Sequence, residues 1–403
     1  IKYAAKHASK ANYWKKWIGE NRGLKRLDAI EQKKLLEKDF TNWINQDEKR
    51  KNKYAYLLPK FSQYYKELTP IALAQDYFYE AIYGTEIIRF AAKFRDIEDT
   101  ENAGEEVDQE MIDRMKKSTA SFFKNYHQPI DKKVCMKMLI MFKENLDSKF
   151  HPEIYNFIEK KFKNDFAKYT DYLFEESIFA NEEKTLEFLN EYDKKSIKKL
   201  KKDPGFQLMK SFFDLYFTKI YFIFQDYQNK LDLLYRDYVN GLREMQQDKV
   251  FYPDANFTLR IAYGQVDDYF PRDAVHYLHK TTLQGIMEKD NPEIYDYDVP
   301  DKLKKLFTEK DFGPYGVNDT MFVCFTATNH TTGGNSGSPV INADGHLIGV
   351  NFDRNWEGTM SDIMYDPEMC RNITLDIRYA LFIIDKFAGA SHLIEEMTII
   401  TDQ

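Results

Sequence analysis

Apolar residues recur at helical spacing through the first part of the chain and give way to short, strand-like runs near residue 253. Ile87-Ile88-Arg89-Phe90-Ala91-Ala92-Lys93-Phe94 and the set Phe212, Phe213, Tyr216, Phe217, Ile220 and Tyr221 return to one face every three or four residues. That is the period at which side chains on an α-helix line up. Pro70 in Thr69-Pro70-Ile71-Ala72 and Pro152 in His151-Pro152-Glu153-Ile154 predict helix starts, because the first turn has no use for the missing N–H. Only six of the 17 glycines precede residue 254. Beyond it, Phe257-Thr258-Leu259-Arg260-Ile261-Ala262-Tyr263-Gly264 and Met321-Phe322-Val323-Cys324-Phe325 read as strands. Helical pieces are expected near residues 272–288 and 301–308, and a last helix pair over about Thr374 to Phe387 and Ser391 to Met397, broken at Gly389. The pattern predicts an α+β chain: a long irregular helical domain over residues 1–253, then a β-rich domain over 254–403.

The chemistry concentrates in the second part. Thr331-Thr332-Gly333-Gly334-Asn335-Ser336-Gly337-Ser338-Pro339 has the make-up of a nucleophile loop in a chymotrypsin-like serine peptidase. Such a loop exposes one serine Oγ on a tight turn and aims backbone N–H groups at the oxygen of the attacked carbonyl. Ser336 is the candidate nucleophile, and the N–H groups of Gly334 and Ser336 are the candidate oxyanion hole. The apolar runs on either side of Asp344-Gly345 form a hairpin signal. Its second strand leads into Asp353-Arg354-Asn355-Trp356, where a two-barrel peptidase builds one wall of its side-chain pocket. A guanidinium there stays charged and presents a fork that fits a carboxylate bidentately, while an apolar side chain would leave it unpaired.

Three stretches carry a family resemblance: Thr331 to Pro339, Gly349 to Glu357, and Asn372-Ile373-Thr374-Leu375-Asp376-Ile377-Arg378-Tyr379, with Ala11-Asn12-Tyr13-Trp14-Lys15 near the start. Together they resemble the bacterial dipeptidyl-peptidase 7/11 family, over essentially the whole chain. The resemblance implies a serine exopeptidase with a chymotrypsin-like β-barrel, a helical domain covering the substrate cleft and no cofactor. In that family the residue eighteen places after the nucleophile separates two activities; Arg354 is similar to the dipeptidyl-peptidase 11 branch, which prefers Asp and Glu. The resemblance also assigns Asp353 and Asn12 to the amino terminus of the peptide substrate, and implies a homodimer in the periplasm or at the bacterial cell surface.

A Ser-His-Asp peptidase needs a base and an orienting carboxylate, which in this fold precede the serine. Nothing in the chain resembles the family's histidine segment. His7, His127 and His151 fall in helical, charged surroundings, and His330 is placed to line the pocket or the loop. The chain is therefore expected to be the C-terminal part of a longer peptidase, inert by itself, with the missing N-terminal part as its partner. Two rival readings stay open: a glutamyl endopeptidase, which shares the Thr-Gly-Gly-Asn-Ser-Gly-Ser-Pro-Val run, and a non-catalytic helical binding module with a peptidase-like barrel.

Composition narrows the rest. Net charge is −7, and the Lys-rich stretch from Lys194 to Lys202 is bounded by Asp193 and Asp203, which reads as a solvated helix face and not a nucleic-acid patch. No apolar run approaches the about 18 residues of a membrane span. Cys135, Cys324 and Cys370 are too scattered for a disulfide framework. No metal site is expected: among the eight histidines, His276 and His279 stand three apart but nothing completes a set. Asn-x-Thr triplets at Asn256, Asn318, Asn329 and Asn372 are read as accidental.

Overall fold

The computed structural model describes residues 2–252 and 258–401. The expected domain boundary at 253/254, the triplet at Asn256 and the start of the strand expected from Phe257 lie outside them. The chain divides into two compact units, Asp39–Lys249 and the combination of Ile1–Lys38 with Val250–Gln403. Among the described residues every strand lies at or beyond Tyr269, so a mostly helical first part does precede a small antiparallel β region.

Helices in the unit Asp39–Lys249 bury the periodic positions. Ile87, Ile88, Phe90, Ala91 and Phe94 meet Phe206, Met209, Phe212 and Phe213 in one continuous core. Two buried carboxylates hold its turns. Asp131 accepts from the N–H groups of Glu86 and Ile87 at 2.9 and 2.8 Å and from the Tyr126 hydroxyl at 3.1 Å, so it caps the helix Glu86–Ala92 from another helix. Asp203 accepts from Gly205 and Phe206 at the start of the helix Pro204–Leu215, and from Ser177 and Ile178. It closes the Lys-rich stretch as a buried cap, not as a solvated acid. Pro70 lies inside the helix Leu57–Tyr77 and does not start one; the apolar positions flanking it keep the same helix going. Pro152 does stand just ahead of its helix, Ile154–Phe162.

The other unit opens with helix α1 (Lys2–Arg26). Its strands are β1 (Tyr269–Arg272), β2 (Val275–Tyr277), β3 (Lys280–Thr282), β4 (Phe322–Ala327), β5 (Pro339–Ile341), β6 (Leu347–Arg354) and β7 (Asn372–Asp376). β1 and β2 form a two-stranded ribbon; the others form an antiparallel sheet in the order β3-β4-β7-β6-β5. Leu283, Leu303, Leu306, Phe312, Met321, Val323, Leu381 and Phe382 pack as its core.

Sequence and structure differ at four places in this unit. Residues 258–264 form no strand: Leu259, Ile261 and Tyr263 are exposed, and the segment ends in a single bridge between Val266 and Ala327. Alternation alone makes no strand without a ladder to join. Of the helix expected over 272–288 only Leu283–Met287 forms, because β2 and β3 take the residues before it. The last helix pair starts late, at Ile377, since Asn372–Asp376 belong to β7 and Asp376 caps the N–H of Arg378. Its second member ends at Glu395. The expected helix at 301–308 and the β5–β6 hairpin both form, the latter with Gly345 at φ +82°. Cys324 is a half-buried thiol in β4, and all three cysteines are free. Among the described residues no helix is long and apolar enough to cross a membrane.

Candidate active site

Ser336 sits in the turn between Thr332 and β5. Gly334 at φ +96° and Gly337 at φ +83° flank it, both in the left-handed region where a Cβ is strained. The turn is closed by Asn335: its N–H donates to the Thr332 carbonyl at 3.2 Å, and its Oδ1 accepts from the Thr332 N–H at 3.0 Å. Ser336 is exposed, and its Oγ reaches the Phe352 carbonyl at 3.4 Å. Among the described residues neither the Gly334 nor the Ser336 N–H donates to another protein group. An exposed hydroxyl beside two unspent backbone donors is what acyl transfer requires of a nucleophile loop.

The loop is tied to the strand after the hairpin. Gly337 N–H donates to the Asn351 carbonyl at 2.8 Å, and Asn351 N–H donates to the Ser338 carbonyl at 3.0 Å. β6 therefore carries Asp353 and Arg354 out alongside the serine turn. Asp353 is exposed, and its Oδ1 accepts the N–H of Arg354 at 2.8 Å.

Arg354 lines a small cavity together with His330, Gly358, Ser361, Arg371 and Asn372. Its guanidinium grips Asp362, Nη1 to Oδ1 at 2.9 Å and Nη2 to Oδ2 at 2.5 Å, and Nη1 also donates to Ser361 Oγ at 2.5 Å. The hydrogen bonds it donates to Asp362 push its pKa still higher, against the opposing effect of partial burial. Arg371 is buried and spends its donors on Asp267 Oδ2 and on the carbonyls of Pro367, Asp268 and Cys370. It frames the cavity and leaves Arg354 as the more accessible of the two guanidinium groups.

His330 lines the same cavity and is fully engaged. One ring nitrogen, Nε2, lies 3.0 Å from the Ser361 carbonyl, which only accepts, so Nε2 carries the proton. Nδ1 then accepts from the Tyr252 hydroxyl at 3.1 Å. Neither nitrogen is turned to Ser336. His276 and His279 both bond Asp268, at 2.8 and 2.6 Å, on strand and loop residues rather than a shared helical face. No group of ligands suited to a metal ion occurs among the described residues.

Asn12 is exposed on α1, which packs along the segment Trp356–Asp362 within the same unit. Gly19 lies against Thr359 and Trp356, Gly23 against Met360, Arg26 pairs with Asp366, and Lys16 lies over the Trp356 ring. Asn12 is one helical turn before Lys16, so it is on the face that α1 turns to the segment after Arg354. Five site residues read from the sequence thus fall in one unit, on a loop, a strand end and a helix. No site signal in the sequence points to Asp362, Ser361 or Arg371, and Asn372 is marked only through the family stretch and an Asn-x-Thr triplet; Asp362 belongs to no motif and reaches Arg354 across the 3-10 stretch Trp356–Asp362.

The chain matches the Peptidase S46 family over residues 1–399. It is 42% identical, over 99% of its length and 55% of the relative's, to an Asp/Glu-specific dipeptidyl-peptidase of Flavobacterium psychrophilum. It is 38% identical to a dipeptidyl-peptidase 7 of Porphyromonas endodontalis, over 99% of this chain and 48% of that one. The crystal structure of Porphyromonas endodontalis DPP11 in complex with the dipeptide Arg-Glu is similar with a TM-score of 0.80 at 35% identity, over 98% of this chain and 56% of the other. The chain spans about half the length of the relatives it matches.

Proposed function

The chain belongs to the peptidase S46 family, and from that premise we propose that the full-length protein is a serine exopeptidase that releases dipeptides with a penultimate Asp or Glu from peptide amino termini. Ser336 Oγ attacks the carbonyl after the second residue. The Gly334 and Ser336 N–H groups receive the oxyanion, and Arg354 receives the acidic side chain. Asp353, helped by Asn12 on α1, holds the substrate's ammonium group, which fixes the cut at two residues from the end. The β region is read as the nucleophile-bearing half of a chymotrypsin-like barrel. The base and its orienting carboxylate are assigned to the part of the protein outside this chain, since both nitrogens of His330 are already spent. A homodimer in the periplasm or at the cell surface belongs to the same proposal.

The observation that carries it is the Arg354 fork. It lies in a small cavity, at the end of the strand that anchors the serine turn, and already holds one carboxylate end-on. A site shaped to grip a carboxylate rejects side chains that leave it unpaired.

The test is cleavage by the full-length protein of reporters carrying Xaa-Asp, Xaa-Glu or Xaa-Leu, each with a free or a blocked amino terminus. Release only from free-amine Asp and Glu reporters supports the proposal. Cleavage of blocked peptides would favour the endopeptidase reading, and no cleavage at all the binding module.

A further inference from the structure

Arg354 does not wait with an empty fork. Asp362 fills both ends of it, and the pair is unequal: the side chain of Asp362 is 49% exposed and that of Arg354 24%. Asp362 is the last residue of the short 3-10 stretch Trp356–Asp362, where a rotation about its side-chain bonds carries the carboxylate into water without moving the backbone.

The facing wall holds a complementary vacancy in bonding. Asn372 stands directly across from Arg354 in the β6–β7 ladder and lines the same cavity. It is buried, and its Oδ1 has no hydrogen-bond partner among the described residues. That orientation is set from the nucleophile loop. The Asn335 carbonyl can only accept, so it takes Asn351 Nδ2 at 3.1 Å; this leaves Asn351 Oδ1 to accept Asn372 Nδ2 at 3.1 Å. Asn372 Oδ1 is thereby fixed as a spare acceptor, and a buried acceptor left unpaired is costly.

We propose that Asp362 is an internal stand-in for the substrate's acidic side chain, which neutralises Arg354 in the resting enzyme and is displaced when a penultimate Asp or Glu enters, the released guanidinium gaining Asn372 Oδ1 as a partner. This rests on the reading of Arg354 as the pocket's cation. Two consequences have opposite signs. Acidic substrates bind more weakly than the bare fork would allow, because only the fraction of molecules with Asp362 swung out is competent. Apolar substrates are tolerated better, because with Asp362 in place they do not confront an unpaired guanidinium.

Asp362→Ala in the full-length enzyme tests both. The KM for Asp and Glu reporters should fall by about three- to tenfold, the factor for a fork free roughly a tenth to a third of the time, with kcat little changed. In the same variant kcat/KM for an Xaa-Leu reporter should also fall. A rise in KM for acidic reporters, or no change, overturns the proposal and makes Asp362 a support for Arg354. A gain on acidic reporters with Xaa-Leu unaltered reduces it to a long-range charge effect and overturns it too. Should Asp362→Ala unfold, Asp362→Asn serves. A second readout is calorimetric binding of the dipeptide Arg-Glu to a Ser336→Ala background, which should tighten by the same factor. Arg354→Gly is run in parallel: if it leaves the Asp/Glu preference intact, the pocket reading has failed, whatever Asp362 does.

Discussion

Asn351 and Asn335 join β6 to the Ser336 turn: Asn351 Nδ2 donates to the Asn335 carbonyl at 3.1 Å, one residue before Ser336. The backbone of Asn351 also bonds Gly337 and Ser338, one and two residues after it. A single buried asparagine on β6 therefore grips the serine turn from both sides.

Removing that side chain should loosen the turn. Asn351→Ala removes two hydrogen bonds, leaving the Asn335 carbonyl with the Ser338 N–H alone and Asn372 Nδ2 with Thr374 Oγ1 alone at 3.4 Å, at a cost of about 1–3 kcal/mol in all. A lower urea midpoint is expected for this chain. In the full-length enzyme kcat should fall for acidic and apolar reporters alike. Unchanged stability and full activity would mean that the loop is held by other contacts.

Arg354→Gly should act in the opposite manner, on selectivity. Truncating one partner of a buried, hydrogen-bonded charge pair costs roughly 2–5 kcal/mol. At about 1.4 kcal/mol per tenfold, this is a loss of roughly 30- to several-thousand-fold in kcat/KM on Asp and Glu reporters, with apolar reporters spared. Arg354→Lys should recover only part, since an ammonium lacks the fork. The comparison is of kcat/KM across the three reporter classes.

Asp353→Ala should weaken every dipeptidyl reporter by a similar factor. Loss of a hydrogen bond to a charged group is worth about 1.5–3 kcal/mol, or roughly ten- to a hundredfold in kcat/KM. The ratio between Asp, Glu and Leu reporters should stay as it was. A change confined to acidic reporters would transfer Asp353 to the side-chain pocket.

The legible part of the site was the part built from short-range geometry. Gly334, Ser336 and Gly337 declare a turn because their spacing requires one, and Asp344-Gly345 declares the hairpin that returns the chain to Arg354. Asp362, Arg371 and Asn372 meet Arg354 only through strand register and the packing of α1, and neither leaves a periodic trace. The same limit explains residues 258–264, whose alternation reads as a strand although the described residues supply no ladder for it. Helical spacing predicts the unit in kind but not its stops: Pro70 has the look of a start, yet the apolar positions on both sides belong to one helix.

Gly23 is a second place where distance, not pattern, decides. A Cβ added there would stand 2.8 Å from Met360 Sδ and 2.9 Å from Met360 Cγ, both buried in the contact between α1 and the segment after Arg354. Alanine gains up to about 1 kcal/mol in helix propensity, but overpacking costs about 1–3 kcal/mol. Gly23→Ala should be net destabilising in thermal unfolding. Combining it with Met360→Ala should recover part of the loss, because the added methyl fills space the methionine leaves. Additive losses in the double variant would show that the two do not meet.

Asp131 gives the helical unit a pH dependence of unusual sign. Burial pushes its carboxyl up from the ordinary 3.8 to about 6, outweighing the N–H donors of Glu86 and Ile87 that pull it down. With the folded value above the unfolded one, the native state binds the proton first as pH falls. Stability from this group therefore rises as pH drops through about 6, levels off below about 3.8, and is lost again as pH is raised. The full span is worth about 3 kcal/mol at 1.36 kcal/mol per pH unit. Asp131→Asn removes the titration while keeping the shape. The stability of the wild type minus that of the variant, followed by urea unfolding between pH 4 and 8, should grow toward acid. A difference that grew toward alkaline pH would mean that the capping N–H groups outweigh burial and that Asp131 is an ordinary ionised cap.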